Sequence, residues 1–349
     1  MQIPTTGGYA VAKRISRNTF VMEAPPEIHS YAAIVGKKEG DGPLGKCFDQ
    51  VYEDTYFGQT TWEHAEGELL RLTVLKAIEK GGLTKDDINY MFAGDLINQC
   101  TTTSYGLRDL EIPLLCVYGA CSTMSESLLL ASLMTDGGMG GYVAAVTSSH
   151  FCSAERQFRF PLSYGGVRTP TAQWTCTASG AVIVCPEGSG SHICIKGAAV
   201  GKIVDMGQTD ANNMGAAMAP AAAYIIKTYL NDRNMSPEDF DLIITGDLGR
   251  VGGMLLIELL ANDGIEIAPR YKDCGTMIFD FENQDVHAGG SGCGCSASVL
   301  CGYFLDKVKS GEYKNILFCA TGALMSPTMS QQGESIPSIS HAVHIAHKD

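Results

Sequence analysis

The sequence contains the stretch LTKDDINYMFAGDL at residues 83–96, and MSPEDFDLIITGDL at residues 235–248 aligns with it without a gap. Each copy predicts an acidic turn followed by a buried strand that ends in Gly-Asp. A helix is predicted before each copy, over Trp62–Lys80 in the first and Ala217–Asn231 in the second. The repeat therefore predicts a chain built from two related halves.

The correspondence between the two halves continues further along the chain. Residues 142–147, YVAAVT, correspond to residues 316–321, ILFCAT, and both predict an apolar strand. A helix predicted to begin after Cys121 and to run to about Thr135 has a counterpart that begins near Cys293. Apolar strands that alternate with helices are typical of α/β proteins with buried sheets.

We therefore expect two pseudo-duplicated halves that pack together. The N-terminal half covers residues 1–190 and carries Cys121, and the C-terminal half covers residues 191–349. Ligand sites form preferentially where such units meet, so we expect the functional site at their junction.

Composition limits the classes of function. With 349 residues, of which 45% are hydrophobic and 18% charged, the chain is globular. A net charge of -13 argues against a general nucleic-acid role, because phosphate binding requires a basic surface. Thirteen scattered cysteines indicate a reducing compartment. No stretch reaches the roughly 18 consecutive apolar residues of a membrane helix, so we expect a soluble protein.

The strongest candidate for reactive chemistry is Cys121 in the stretch Gly119–Ser122. It follows a predicted buried strand over Ile112–Tyr118 and precedes a helix in which Thr123 and Glu126 have the capping-box spacing. Unpaired amides and the helix dipole at such a position favour thiolate over thiol. The stretch predicts a nucleophile or an anion pocket, and the alternative is a buried cysteine that fills a gap.

A doubled α/β chain with a cysteine at the start of the first central helix resembles the thiolase-like superfamily, which includes thiolases and ketoacyl synthases. The stretch TASGAVIV at residues 177–184 is similar to the Gly-Ala-Val strand that closes their first half. The resemblance implies a layered αβαβα fold and a homodimer formed through the central sheets.

A closer resemblance is to the stage V sporulation protein AD family. It rests on five stretches in combination: GDGPLG at 40–45, AGDLINQ at 93–99, TSSH at 147–150, AERQFR at 154–159 and HAGGSGC at 287–293. It implies a sporulation and germination protein that binds dipicolinic acid and helps its uptake into the forespore. The implied partners are membrane-embedded proteins of the same operon, with peripheral attachment to the inner spore or forespore membrane. The resemblance implies no cofactor and leaves open whether calcium accompanies the ligand.

The catalytic pattern departs from that of the superfamily enzymes. Ketoacyl synthases add a His and a His or Asn from the second half, the latter in a Gly-Asn-Thr-Ser loop. Here that loop reads Gly290–Gly292 without the Asn, and residues 271–275 offer no His. ATGA at residues 320–323 replaces the second thiolase cysteine. We therefore expect ligand binding without turnover. The alternatives are an acyltransferase with Cys121 as nucleophile and a scaffold for another protein.

Four residues of the first half are candidates for ligand binding. His150, with Ser149 beside it, follows a predicted strand and could donate to a carboxylate, or it could be a loop histidine bonded to backbone. Arg156 and Arg159 share a face if their segment is helical, and guanidinium groups suit a flat dicarboxylate. The alternative for the arginines is a salt bridge with Glu155 or a surface role.

The remaining candidates are Asn98 as a hydrogen-bonding residue and His287 as a second-half residue that approaches Cys121. The alternative for His287 is a turn histidine. Asp95 and Asp247, which end the repeated strands, predict a structural role in capping the turns that follow. We interpret Cys293–Cys295 as small residues that open a helix, with a metal site as the less favoured alternative, and we predict no metal site.

Overall fold

The computed structural model describes residues 12–158 and 167–349. Its strands are as follows: β1 (Lys13–Arg14), β2 (Thr19–Val21), β3 (Glu27–Gly36), β4 (Gln50–Tyr52), β5 (Tyr90–Gly94), β6 (Leu114–Cys116), β7 (Val143–Ser149), β8 (Trp174–Thr175), β9 (Ala178–Cys185), β10 (Ile193–Ala199), β11 (Leu242–Thr245), β12 (Tyr271–Asp273), β13 (Gly290–Ser291), β14 (Asn315–Cys319), β15 (Thr321–Ala323), β16 (Ser338–Ser340) and β17 (Ala342–His347).

The helices alternate with these strands. They are α1 (Lys37–Gly40), α2 (Trp62–Lys80), α3 (Thr101–Leu107), α4 (Thr123–Asp136), α5 (Phe151–Phe158), α6 (Met214–Arg233), α7 (Gly249–Asn262), α8 (Cys274–Met277), α9 (Cys293–Val299), α10 (Leu305–Lys309) and α11 (Pro327–Gln331). A π-helical turn joins α9 to α10. The predicted helix over residues 62–80 is confirmed, and α6 extends beyond its predicted bounds at both ends. Within the described ranges, no helix combines the length and apolar character that a membrane span requires.

The principal strands hydrogen-bond in the order β12-β11-β14-β17-β10-β3-β9-β7-β5-β6. The two halves are arranged symmetrically about the β10–β3 junction. Read outward from it, the strands β10, β17, β14, β11 and β12 of the second half correspond to β3, β9, β7, β5 and β6 of the first. In both halves the Gly-Asp strand lies between two parallel neighbours. The junction itself is a single antiparallel residue pair, Glu27 with Cys194. The predicted half boundary at residue 190 falls between β9 and β10.

Alternate residues of each strand face different layers. In β11, Ile244 packs into a central core that contains α4 and α9, whereas Ile243 packs into an outer core with α6 and α7. In β5, Met91 faces the other outer core, which α2 covers. The interior strands of both halves are thus buried on both faces, and the layers follow the predicted αβαβα order.

The strand that leads to Cys121 differs from its prediction. The sequence predicts a buried strand over Ile112–Tyr118, but β6 covers only Leu114–Cys116 and lies at the sheet edge. Leu115 is 45% exposed there. The prediction of burial is wrong, because an apolar run does not distinguish an edge strand from an interior one.

Candidate functional site

A short 3₁₀ turn, Ala120–Ser122, places Cys121 at the junction of the two halves. Ala120 has a φ of 49°, in the left-handed region that a residue with a side chain seldom adopts. The backbone of Gly322 in β15 lies against this turn, and a Cβ there would be 2.0 Å from the Gly119 carbonyl oxygen. The second half therefore holds the strained turn in place by close backbone contact.

The helix after this turn begins differently from the prediction. α4 starts at Thr123, and the preceding residue Ser122 provides no side-chain cap. The Thr123 hydroxyl donates to the Ala120 carbonyl (2.7 Å). Glu126 Oε2 is buried with no hydrogen-bond partner among the described groups, and burial raises the pKa of Glu126. The predicted capping box is wrong, because Thr123 is the first residue of the helix and not its N-cap, and its hydroxyl donates to the Ala120 carbonyl instead of accepting from a helix amide.

Cys121 lines an open pocket whose empty space, counted together with its mouth, is about 460 Å³, and we call it the Cys121 cavity. Both halves contribute to its mostly apolar wall. The described lining residues are Leu96, Ala120, Cys121, Ala154, Glu155, Phe158, Thr175, Met214, Ser291, Ala323 and Met325.

Asp247, in the loop after β11, faces the Cys121 thiol across the junction. Its Oδ2 accepts hydrogen bonds from Gly292 N (2.8 Å) and Ser291 Oγ (3.2 Å). Burial raises the pKa of Asp247 to about 7, while the thiol and these hydrogen bonds act in the opposite direction. Burial also raises the pKa of Cys121 well above its usual value, and Asp247 raises it further.

The thiol of Cys121 is therefore held in its protonated form near neutral pH. The expectation that the helix start favours the thiolate is wrong, because burial and a neighbouring carboxylate outweigh the helix dipole. Among the described lining residues there is no Lys, Arg or His whose positive charge would reverse this. A protonated thiol is a poor nucleophile, so the surroundings suit a pocket wall better than an acyl acceptor.

Glu155 is the charged side chain in the described lining of the Cys121 cavity. It lies on α5, where it is buried, and its Oε1 is 3.5 Å from the donating hydroxyl of Thr175 and 3.9 Å from Arg168 Nη2. The cavity wall thus presents a carboxylate that is paired with Arg168.

Two predicted site residues lie near the Cys121 cavity without lining it. The Ser149 hydroxyl donates to the Cys176 carbonyl (2.7 Å) and accepts from Gly294 N (3.2 Å), which fixes it between the β8–β9 connection and α9. Asn98 is exposed, and its backbone N–H donates to Gln157 Oε1 (2.9 Å). Neither side chain is brought together with Cys121.

The two histidines lie in other cavities. His150 is buried with its Nε2 2.8 Å from the Thr55 carbonyl, and its Nδ1 accepts from Cys152 N (3.1 Å). These are the contacts of the backbone-bonded alternative, and burial lowers the pKa of His150. His287 Nδ1 is 2.7 Å from the Thr169 carbonyl, and its Nε2 is 2.8 Å from Asp285. His287 lines an open groove and does not approach Cys121.

Of the two predicted arginines, the structure describes Arg156. Arg156 pairs with Glu63, lies over the Trp62 ring and is about half exposed. It therefore occupies the surface position that was its alternative. Arg159 lies outside the described residues.

Sequence reasoning missed Asp247, Glu155 and Ser291 as residues of the site. The Gly-Asp repeat locates Asp247 but indicates a turn-capping role like that of Asp95. The sequence suggests Glu155 only as a salt-bridge partner of the arginines, and Ser291 only as the place of a missing Asn. Which carboxylate crosses the junction depends on how the halves pack, and no local pattern encodes it.

The paired cysteines of α9 make ordinary core contacts. Cys293 Sγ donates to the Ser148 carbonyl (2.9 Å), and Cys295 Sγ lies 3.7 Å from the Gly246 carbonyl. In the described part of the chain, no group of three or more His, Cys, Asp and Glu residues is arranged to hold a metal ion.

Residues 16–346 match the family described as Stage V sporulation protein AD (SpoVAD). The chain is 45% identical over 331 residues to the Stage V sporulation protein AD of Bacillus subtilis (strain 168), which covers 95% of this chain and 97% of that protein.

Solved structures show the same fold at low identity. The 3-oxoacyl-[acyl-carrier-protein] synthase III of Aquifex aeolicus VF5 matches with a TM-score of 0.55 at 13% identity, over 92% of this chain and 100% of that one. A variant of Xanthomonas campestris OleA matches with a TM-score of 0.61 at 12% identity, over 93% of this chain and 99% of that one. These likenesses show that the fold is thiolase-like.

Proposed function

Because the chain belongs to the stage V sporulation protein AD family, we propose that it binds dipicolinic acid during sporulation and helps its uptake into the forespore without enzymatic turnover. Dipicolinic acid is a flat aromatic dicarboxylate. A protein that hands such a ligand onward needs a pocket of matching shape and charge, and it needs no activated nucleophile.

The observation that carries the proposal is the chemistry around Cys121. The thiol lies at the start of α4, where the thiolase-like enzymes have their cysteine, but its neighbours from the second half are the Asp247 carboxyl and Ser291. A carboxylate next to a thiol disfavours the thiolate that acyl transfer requires. A thiolase-like scaffold with this arrangement supports binding in place of transfer.

Isothermal titration calorimetry with dipicolinate tests the proposal. We expect saturable heat with the wild-type chain, with and without calcium, and weaker binding of benzoate, which is flat but carries one carboxylate. Absence of saturable heat at millimolar dipicolinate in both conditions would overturn the proposed function.

Acyl transfer is the second candidate function. What favours it is the placement of Cys121 in a mostly apolar cavity at a strained turn before a helix. Such a cavity suits an acyl chain, and the strained turn presents the thiol to it. Acylation of Cys121 by acyl-CoA would support this candidate.

We also propose a homodimer that docks peripherally on membrane-embedded sporulation proteins. The support for the dimer is the open edge of β6, whose backbone groups and exposed Leu115 could pair with a second copy. Sedimentation of the wild type and of Leu115→Lys should give a dimer and a weakened dimer. A monomeric wild type would contradict the dimer.

A further inference from the structure

The Cys121 cavity has no cationic side chain in its described lining, although the ligand of the proposed function carries two negative charges. Its polar lining consists of the Thr175 and Ser291 hydroxyls, the Cys121 thiol and the Glu155 carboxylate. The nearby Arg168 is paired with Glu155 at 3.9 Å. The described wall therefore has to accept a dicarboxylate without a cation of its own, which is costly in poorly solvated surroundings.

Asp247 lies directly behind this wall. Ser291, which lines the cavity, donates from its hydroxyl to Asp247 Oδ2 (3.2 Å), and Gly292 N donates to the same oxygen (2.8 Å). Cys121, which also lines the cavity, makes a weak thiol contact with the carboxyl. Apart from that contact, the buried Oδ1 has no hydrogen-bond partner among the described groups. The carboxyl thus touches the cavity wall at two residues and keeps one oxygen that can carry a proton.

The surroundings of Asp247 do not stabilise its ionised form. In the described part of the chain, no Lys, Arg or His forms an ion pair with it. The titratable groups that face it are the carboxyl of Asp273 at the end of β12 and the thiols of Cys121, Cys176, Cys274, Cys293 and Cys295. Burial raises the pKa of Asp247 to about 7, so about half of the molecules carry a proton there at neutral pH.

The other buried carboxyls near the junction are poorer proton acceptors. Asp273 accepts hydrogen bonds from a hydroxyl and from three backbone N–H groups, which favour its ionised form. Glu155 is paired with Arg168. Glu66 does not line the cavity, and because burial raises its pKa to about 8, it already holds most of its proton at neutral pH.

We propose that binding of a dicarboxylate in the Cys121 cavity is coupled to the uptake of a proton by Asp247. The inference rests on the proposed function and adds the proton as a second ligand of the same site. The negative charge of the bound ligand disfavours a second negative charge behind the wall. By reciprocity, the neutral form of Asp247 favours the bound ligand.

The coupling fixes the direction of the pH dependence. The pKa of Asp247 is about 7 in the free protein and should be higher in the complex, where the ligand adds like charge. The affinity should therefore be nearly constant well below pH 7. It should weaken about three- to tenfold between pH 7 and pH 8, because binding then has to add a proton. Both carboxyl groups of dipicolinate are ionised throughout this range, so the ligand itself does not titrate.

Titration calorimetry with dipicolinate in buffers of different ionisation enthalpy measures the proton directly. At pH 7 we expect the observed heat to vary with the buffer, with a slope that corresponds to uptake of about half a proton per ligand. Saturable binding without proton uptake would overturn the coupling and leave the proposed function standing. Absence of saturable binding to the wild type would overturn both.

Three isosteric variants identify the group that takes up the proton. Asp247→Asn keeps an acceptor oxygen but cannot be protonated, so its uptake should disappear and its affinity should change less than about twofold between pH 7 and pH 8. Glu66→Gln is the matched control at another buried carboxyl, and Glu155→Gln is the control in the cavity wall. Both should keep the buffer-dependent slope of the wild type.

A purely structural role of Asp247 would change the affinity equally at all pH values and would leave the proton uptake in place. Retained uptake in Asp247→Asn would therefore overturn the assignment. Loss of uptake in Glu66→Gln or Glu155→Gln would also overturn it, and this outcome can be read even if Asp247→Asn does not fold.

Discussion

The Gly-Asp pairs that end β5 and β11 occupy equivalent places in the two halves, but their carboxylates have different roles. Asp95 is used entirely within its own half. Its Oδ1 accepts from Ile97 N (2.7 Å), and its Oδ2 accepts from Thr103 N (2.8 Å) and Thr103 Oγ1 (2.6 Å). It fixes the loop between β5 and α3, which confirms its predicted role in capping a turn.

In the second half, Asp273 at the end of β12 holds the loop after β11. It accepts from Leu248 N (2.8 Å) and Gly249 N (3.0 Å). Asp247 is thereby available to contact the start of α9 and to face Cys121. Both halves have the aspartate, but in the second half a residue of the neighbouring strand holds the loop, and Asp247 contacts the junction.

The largest expected effect comes from removing the carboxylates of Asp95 and Asp247 one at a time. Asp95→Ala leaves three buried donors without an acceptor, and we expect a stability loss of about 3 kcal/mol. Asp247→Ala leaves the Gly292 N–H and the Ser291 hydroxyl unpaired, together with the weak thiol donor of Cys121. Each change also removes one like-charge neighbour, Glu66 for Asp95 and Asp273 for Asp247, so the difference comes from the donors, and we expect a smaller loss of about 2 kcal/mol for Asp247→Ala. Urea unfolding of both variants beside the wild type measures the difference.

The matched isosteric variants Asp95→Asn and Asp247→Asn serve as controls, because each keeps one acceptor oxygen. They should lose less stability than the alanine variants. An Asp247→Ala loss equal to or greater than that of Asp95→Ala would contradict the division of roles.

A smaller effect is expected from the two glycines that precede these carboxylates. A Cβ at Gly94 would lie 2.1 Å from the Val117 carbonyl oxygen, which is backbone and cannot move freely. A Cβ at Gly246 would lie 3.0 Å from Ser296 Cβ, so modest shifts can accommodate it. We expect Gly94→Ala to lose about 2–3 kcal/mol and Gly246→Ala about 1 kcal/mol in urea unfolding. Equal losses would indicate that the two strand ends are packed alike.

The smallest expected effect is a change in how stability depends on pH. Burial raises the pKa of Asp247 to about 7, and burial together with Asp95 raises that of Glu66 to about 8. The folded state then retains protons that the unfolded state has lost, so stability should fall as pH rises from about 5 to 8. Asp247→Asn and Glu66→Gln should each make the fall shallower. Unfolding midpoints at several pH values test this. If the slope of stability against pH is unchanged in both variants, Asp247 and Glu66 do not cause the pH dependence.

Much of the fold follows from local pattern. α2 begins where Thr61 caps it and ends where predicted, because propensity, capping and apolar spacing agree. The repeat predicts the equivalence of β5 with β11 and of β7 with β14. The exposure of β6 was not predictable, since its open edge depends on which strands remain unpaired after the sheet has formed.

The site was less predictable than the fold. Cys121 could be found because a strand, a small-residue turn and a helix start are all local features. Asp247 could be located but its role could not, because that role depends on Asp273, a residue 26 positions further along the chain that takes its place in the turn. His150 and Lys38 line a separate cavity, which forms where α5 packs against β8. Sequence periodicity predicts single helices and strands and does not predict how they pack against each other.

The protonated state of Cys121 is tested most directly by intact-mass measurement after incubation with several acyl-CoA donors, on the wild type and on Cys121→Ser. The exposed Cys116 provides an internal reference for nonspecific thiol acylation. With burial and Asp247 holding the thiol neutral, we expect no acyl adduct that depends on Cys121. A stoichiometric adduct on the wild type that is absent from Cys121→Ser would contradict this and establish Cys121 as a nucleophile.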